Sequence, residues 1–221
     1  MKKLFIILFF LTAMTQNSTA QKTLSFLALG DSYTIGESVP VYQSFPYQTV
    51  QLLRKKGMAV HAAEIVAKTG WTTDELMAGI DKTLFEKEYD IVTLLIGVNN
   101  QYRGKPADAY AIEFETLLNK AIAFAAGKKK QVFVLSIPDW GATPFAEGRD
   151  RKKIAAEIDV FNSINKKITE SRGITYISIT EGTREATFNQ QLVAKDGLHP
   201  SGDDYARWAE KLSTAILAIA F

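Results

Sequence analysis

Short, nearly continuous apolar runs recur along this chain and place the strongest limit on its fold. Residues 91–96 read Ile-Val-Thr-Leu-Leu-Ile. Such a run is typical of a strand covered on both faces, because a strand with one wet face would alternate apolar and polar residues. The pattern predicts five strands, at residues 24–29, 60–66, 91–96, 132–137 and 174–179. Strands of this kind indicate a parallel sheet between two covering layers.

Amphipathic stretches separate the apolar runs and predict helices. They lie at residues 45–56, 73–87, 107–126, 151–172 and 203–220. Glycine follows three of them, at positions 57, 127 and 173, and glycine just past the last helical residue is a common stop signal. Strands that alternate with helices in this way predict one three-layer α/β/α domain of about five parallel strands. No linker or internal repeat indicates a second domain.

The beginning of the chain has the three-part build of a secretory signal peptide. Lys2 and Lys3 precede an apolar run at residues 4–11, and small residues lead up to Ala20. The apolar run is shorter than the roughly 20 residues that a stable membrane span requires. We therefore expect residues 1–20 to be removed after Ala20, and residues 21–221 to form the folded, secreted or periplasmic domain. A retained anchor is the alternative, since some anchors also begin this way.

Composition argues against several classes of protein. Without Lys2 and Lys3 the chain has 24 basic and 24 acidic residues, whereas a nucleic-acid surface needs a basic excess. The absence of cysteine and the presence of only two histidines argue against a zinc site of thiolates and imidazoles. No glycine-rich phosphate-binding string occurs. We predict no metal, cofactor or nucleic-acid partner, and no particular oligomeric state.

Ligands of open parallel sheets bind beyond the carboxyl ends of the strands, and the first such position holds a serine. Gly30-Asp31-Ser32 follows the first predicted strand. A serine hydroxyl there is a candidate nucleophile, provided that a neighbouring base takes its proton. Taken alone, the same three residues also suit an ordinary turn.

Two further strand-end strings contain groups that can bind an oxyanion. Gly70 precedes a predicted capping box formed by Thr72 and Glu75, so its backbone N–H can approach a ligand oxygen without hindrance from a side chain. Asn99, in the string Gly-Val-Asn-Asn at residues 97–100, can donate its side-chain amide to a developing negative charge. Glycine and asparagine are also common in turns that have no such function.

The last loop before the final predicted helix contains Asp196 and His199. A carboxylate three residues from a histidine can accept one ring N–H and thereby fix the tautomer that faces a nucleophile. The other histidine, His61, lies within the second predicted strand, away from the strand ends, and we assign it a structural or surface position. Four strand-end loops thus supply a nucleophile, two oxyanion donors and a base with its orienting carboxylate.

In this combination and order, the four strings resemble the SGNH, or GDSL, hydrolase family, which is named for serine, glycine, asparagine and histidine blocks. The resemblance implies a flavodoxin-like sandwich and a serine esterase or acyl hydrolase. It implies that Ser32 is the nucleophile and, through its N–H, one oxyanion donor, with Gly70 and Asn99 as the other two. His199 would be the base and then the acid, held by Asp196. The chain departs from the family's usual G-x-N-D at Asn100, which adds a donor and removes a charge.

The resemblance implies a small-molecule ester substrate, cleaved through an acyl-enzyme. Small acyl or acetyl esters, including those on carbohydrate, are our first expectation; the alternatives are a lysophospholipase or thioesterase-like enzyme, an acyl transferase, and a noncatalytic carbohydrate- or lipid-binding module. Loops that flank the site supply candidate substrate-binding residues: Tyr33, Ile35, Trp71, Tyr102, Arg103, Trp140 and Phe145. The aromatic side chains suit a sugar ring or an acyl groove, or they pack under their own loops. Arg103 either meets an anionic substrate group or is a solvated surface residue.

Overall fold

The computed structural model describes residues 22–86 and 88–221, so the expected signal peptide lies outside the described residues. Within them, five strands form one parallel sheet in the order β2-β1-β3-β4-β5. The strands are β1 Phe26–Asp31, β2 Glu64–Lys68, β3 Ile91–Leu95, β4 Val132–Leu135 and β5 Thr175–Ile177. This order is the flavodoxin-like one. Every residue of β1, β3 and β4 is buried, as the unbroken apolar runs require.

Helices cover both faces of the sheet. Their bounds are α1 Ser32–Ile35, α2 Phe45–Lys55, α3 Thr73–Ile80, α4 Val98–Tyr102, α5 Ala107–Phe124, α6 Arg151–Ser171, α7 Thr180–Arg184 and α8 Gly202–Leu217. Helix α2 packs against α8, whereas α5 packs against both α3 and α6. The predicted three-layer α/β/α sandwich is therefore confirmed. The three predicted stop glycines all have a φ between 70° and 88°, the left-handed conformation that ends helices.

The second strand begins later than predicted. Val60 forms only an isolated parallel bridge with Leu24, and the continuous ladder with β1 starts where Leu27 pairs with Glu64. Between these two pairings lie three residues on the β2 side (61–63) but only two on the β1 side (25–26). The extra residue interrupts the ladder as a bulge does, so residues 61–63 belong to no strand.

The predicted helix at residues 73–87 is too long, because α3 ends at Ile80 and is followed by turns. Beyond α3, Leu84 is 97% exposed. The ring of Phe85 instead packs against Phe124 and Tyr89, with centroids 4.4 and 6.5 Å away. The apolar spacing after Ile80 therefore reflects an aromatic cluster under a loop and not a continued helix.

Candidate active site

Ser32 occupies the point where β1 becomes a helix. It is the first residue of the one-turn helix α1, and Asp31 caps that helix by accepting a hydrogen bond from the Tyr33 N–H. Gly30 permits this tight passage: a Cβ there would lie 2.1 Å from Thr34 Oγ1 and 2.5 Å from the Leu95 carbonyl oxygen. The first block thus needs a glycine for close packing, and the packing places Ser32 at the carboxyl end of β1.

His199 and Asp196 form a tight pair in the last loop. The His199 Nδ1 lies 2.5 Å from Asp196 Oδ2, and Asp196 Oδ1 accepts the backbone N–H groups of Leu198 and His199, both at 3.0 Å. Burial raises the pKa of Asp196, but the hydrogen bonds from His199, Ser38 and the loop backbone outweigh it and lower the pKa to about 2. The carboxylate is therefore ionised at neutral pH and fixes the orientation of the imidazole.

Ser38, which was not predicted from the sequence, binds the carboxylate of this pair. Its hydroxyl donates a 2.6 Å hydrogen bond to Asp196 Oδ2. Ser38 has a φ of 64°, a left-handed conformation that is uncommon outside glycine. The loop that follows α1 therefore supports the carboxylate of the last loop, and only the three-dimensional structure reveals this contact.

Ser32 and His199 border the same cavity, which has a volume of about 140 Å³. Its lining consists of Ser32, Tyr33, Val98, Asn99, Tyr102, Trp140, Phe145, Leu198 and His199. The His199 ring packs on Tyr33 with a centroid separation of 5.0 Å. Among the described residues, the Ser32 hydroxyl makes no hydrogen bond to the imidazole. A proton could pass between the two groups only if they moved closer, as catalytic groups often do when a substrate binds.

Asn99 reaches the cavity from the first turn of α4, after β3. Its Nδ2 donates a 3.0 Å hydrogen bond to the Trp71 carbonyl oxygen and a longer one, of 3.3 Å, to Asp31 Oδ2. Gly70, which directly precedes Trp71, has a φ of 81°. The serine, glycine and asparagine strings are thus joined by hydrogen bonds at one rim of the sheet.

Asp31 is a second residue whose importance the sequence did not indicate. Its side chain is fully buried. Burial raises its pKa to about 7, and the hydrogen bonds from the Tyr33 N–H and the Asn99 amide only partly oppose this rise. A carboxyl group that is partly ionised at neutral pH therefore precedes Ser32 in the chain and accepts a hydrogen bond from Asn99.

Asn100, the departure from the usual family pattern, is completely buried. Its Oδ1 accepts the Thr73 N–H at 3.1 Å, and its Nδ2 donates to Thr73 Oγ1 at 2.6 Å. The Thr73 hydroxyl in turn donates to Glu113. Because Glu113 already takes the hydroxyl proton, the threonine needs a donor from its other neighbour, and an asparagine supplies one where an aspartate would not.

The predicted substrate-binding residues fall into two groups. Tyr33, Tyr102 and Trp140 line the cavity, as does Phe145. Trp71 packs instead over α3, so closely that a Cβ at Gly79 would lie 2.2 Å from its ring.

The Arg103 side chain is hydrogen-bonded to two groups of the protein itself. Its guanidinium donates to the Gly70 carbonyl oxygen at 2.5 Å and to Glu75 at 3.1 Å. These bonds hold the 70–75 segment against the end of α4. An anionic substrate group would therefore have to compete with Glu75 for this arginine.

The opposite end of the sheet holds the other histidine. His61 is exposed and its backbone N–H donates to the Leu24 carbonyl oxygen at 2.8 Å, near the amino end of β1 and away from Ser32. In residues 22–86 and 88–221, no three histidine, aspartate or glutamate side chains are grouped to hold a metal ion. The same residues include no helix with the length and apolar character needed to cross a membrane.

A flavodoxin-like sheet with a serine and a carboxylate-bound histidine at one rim defines a class of α/β/α hydrolases. The chain belongs to the GDSL-like lipase/acylhydrolase family, whose model matches residues 28–207. Family membership makes it a hydrolase that acts on ester bonds. No curated protein sequence is significantly similar to it.

Solved structures with low sequence identity share this fold. TesA is 20% identical, with a TM-score of 0.68 over 87% of this chain and 97% of that chain. A lipase/acylhydrolase from Enterococcus faecalis is 17% identical, with a TM-score of 0.69 and coverages of 88% and 95%. Axe2, an acetylxylan esterase from Geobacillus stearothermophilus, is 17% identical, with a TM-score of 0.69 and coverages of 90% and 96%.

Proposed function

We propose that this enzyme is a serine esterase that cleaves small acyl esters, including acetyl esters, through an acyl-enzyme formed on Ser32. One observation carries the proposal: Ser32 and the His199 ring border one cavity, and Asp196 binds the Nδ1 side of that ring. With Nδ1–H donated to the carboxylate, Nε2 has the free lone pair needed to take a proton.

The proposed reaction begins when His199 removes the Ser32 proton and Oγ attacks the ester carbonyl. The oxyanion is bound by the N–H groups of Ser32 and Gly70 and by the Asn99 amide, contributions that are worth about 100- to 1000-fold in turnover for a single donor. To bind the oxyanion, the Asn99 amide exchanges its longer hydrogen bond, the 3.3 Å contact with Asp31 Oδ2, for one to the substrate. His199 then protonates the leaving alcohol, and water hydrolyses the acyl-enzyme.

The cavity supports a short acyl group. Its volume of about 140 Å³ is below the range of roughly 300–1,000 Å³ that is typical of sites for larger ligands. Trp140 is fixed by a 2.7 Å hydrogen bond from its indole N–H to Gln101, and Tyr102 packs edge-on against it. These walls favour acetyl and other short esters over lysophospholipids or long-chain thioesters.

A carbohydrate ester is the substrate class that the aromatic wall favours. Tyr102 and Phe145 are 44% and 42% exposed beside Ser32 and His199, and exposed aromatic side chains suit the face of a sugar ring. The likeness in fold to Axe2, described as an acetylxylan esterase, is consistent with this choice. An acetylated xylooligosaccharide is therefore a suitable first natural-type substrate.

The test uses purified residues 21–221 with 4-nitrophenyl acetate and a fluorophosphonate probe. We expect a burst of 4-nitrophenol and covalent labelling of the wild-type enzyme, with both lost in Ser32→Ala. Ser171→Ala, an exposed serine at the end of α6, is the matched control. Labelling and burst release that persist in Ser32→Ala would rule out Ser32 as the nucleophile. Faster cleavage of a lysophospholipid or a long-chain thioester than of acetate esters would contradict the proposed acyl preference.

We also propose that residues 1–20 direct export of the enzyme. The positively charged start, the short apolar run and the small residues before Ala20 support this proposal. Expression of the full chain in a bacterial host should yield an exported protein whose first residue, identified by mass spectrometry, is Gln21. An uncleaved chain in the membrane fraction would instead support a retained anchor.

A further inference from the structure

Arg149 lies at the aromatic wall of the cavity and takes no part in the proposed reaction. Its guanidinium carbon is 5.7 Å from the ring centroid of Tyr102 and 5.7 Å from that of Trp140. Both rings line the cavity that Ser32 and His199 border. A guanidinium in this position is attracted to the aromatic faces while its N–H groups remain available for hydrogen bonds.

Arg149 differs from the other arginines of the described residues, because no carboxylate or carbonyl oxygen accepts a hydrogen bond from its guanidinium. The partners of the others are the Val60 carbonyl for Arg54, Glu75 for Arg103, the Gly141 carbonyl for Arg151, Glu115 for Arg172, Asp139 for Arg184 and Glu185 for Arg207. The donors of Arg149 are therefore free to bind a ligand.

Backbone hydrogen bonds fix the segment that carries Arg149 and join it to the loop of His199. Its N–H donates to the Ala146 carbonyl oxygen at 3.1 Å, and its own carbonyl oxygen accepts the Arg151 N–H at 2.9 Å. The same loop is tied to the histidine loop by a 2.8 Å bond from the Phe145 N–H to the Gly197 carbonyl oxygen. The cation is thus attached to a loop that is hydrogen-bonded to Gly197, between Asp196 and His199.

We propose that Arg149 makes the enzyme selective for ester substrates that carry a carboxylate. The inference rests on the proposed esterase function of Ser32. A guanidinium binds a carboxylate through two parallel hydrogen bonds, and none of the residues that line the cavity is acidic. Arg103, which the sequence suggested for this role, is already bound to Glu75.

The experiment compares two pairs of matched esters. In the first pair the acyl group differs: mono-4-nitrophenyl glutarate carries a carboxylate and 4-nitrophenyl pentanoate is neutral. In the second pair the alcohol part differs: 4-acetoxybenzoate carries a carboxylate and its methyl ester is neutral. For at least one pair we expect wild-type enzyme to prefer the anionic ester, through a lower KM. Arg149→Gln should lower the anionic-to-neutral ratio of kcat/KM roughly tenfold, the value of one charged hydrogen bond.

Two further variants and one condition sharpen the result. Arg149→Lys keeps the charge without the planar fork and should retain part of the preference. Arg172→Gln makes the same charge change at the far end of α6 and should leave the ratio at its wild-type value. Salt at about 0.5 M should weaken the wild-type preference, because it screens exposed charges.

The outcomes separate this inference from the proposed function. An active wild-type enzyme without preference in either pair would overturn the role of Arg149, as would an Arg149→Gln ratio within about twofold of wild type. Failure of wild-type enzyme to cleave any of the four esters would contradict the esterase proposal itself and the selectivity with it.

Discussion

Ser38 donates its hydroxyl proton to the same Asp196 oxygen that contacts His199 Nδ1, at 2.6 and 2.5 Å respectively. The two hydrogen-bonded residues are 158 positions apart. Ser38 makes this contact from a left-handed backbone conformation, which costs free energy for a residue with a side chain. The folded protein therefore maintains a strained residue where it supports the proposed catalytic carboxylate.

Replacement of Ser38 by alanine should lower kcat without a matching change in KM. The variant retains the left-handed conformation but loses one donor to Asp196, so the imidazole is less firmly oriented. The loss of this exposed hydrogen bond predicts a decrease of roughly 5- to 10-fold, the effect of a typical single hydrogen bond. Steady-state kinetics with 4-nitrophenyl acetate measure this effect. Ser38→Gly, which also relieves the backbone strain, should show the same decrease with higher stability. Wild-type kcat in both variants would mean that Ser38 has only a local structural role.

Asn99→Ala tests the proposed oxyanion donor. We expect kcat to fall about 100- to 1000-fold, because the amide is held at the cavity and no other side chain replaces it. KM for a short ester should change little, since the amide acts on charge that develops only in the transition state. Asn119→Ala, an exposed asparagine on α5, is the matched control. A rise in KM with kcat unchanged would instead place Asn99 in substrate binding.

The sequence was informative about the site where the groups lie at the ends of strands. Ser32 and Asn99 were singled out because the carboxyl ends of parallel strands converge on one rim, and strands buried on both faces are readily recognised. His199 was singled out by the carboxylate three residues before it. Ser38 and Arg149 were not found. Their roles depend on contacts between loops that are distant in sequence, and no local periodicity records which loops meet.

The two wrongly predicted boundaries, the end of α3 and the start of β2, also depend on contacts between segments that are distant in sequence. The apolar pattern after Ile80 has helical spacing, yet Leu84 is exposed and Phe85 packs against Phe124, a residue of another helix. One extra residue before β2 interrupts the pairing with β1. Both features follow from tertiary packing, which overrides local pattern.

Asn100→Asp, which restores the usual family residue, should destabilise this chain. An aspartate would place a buried carboxylate beside Thr73, whose hydroxyl already donates to Glu113, so two acceptors would compete for one proton. The expected loss is about 1–3 kcal/mol in the free energy of unfolding, as for a buried polar group left unsatisfied. Urea denaturation measures it. In the double variant with Glu113→Gln, whose amide can donate to the threonine oxygen, we expect partial recovery. Additive losses in the two variants would show that Asn100 and Glu113 are not coupled through Thr73.

Asp31→Asn should change how stability depends on pH. Burial raises the pKa of Asp31 from 3.8 to about 7 in the folded protein. The folded state therefore keeps a proton that the unfolded chain releases, and stability falls as the pH rises from about 4 to 7. A shift of this size corresponds to at most about 4 kcal/mol.

Urea denaturation at pH 4.5 and pH 8 measures the effect. Between these pH values the free energy of unfolding should decrease less in the variant than in wild type, roughly by this amount. The raised pKa of Asp204 is common to both proteins and cancels in the comparison. Equal decreases would mean that Asp31 is already ionised throughout this range, and that its hydrogen bonds with Tyr33 and Asn99 outweigh the cost of burial.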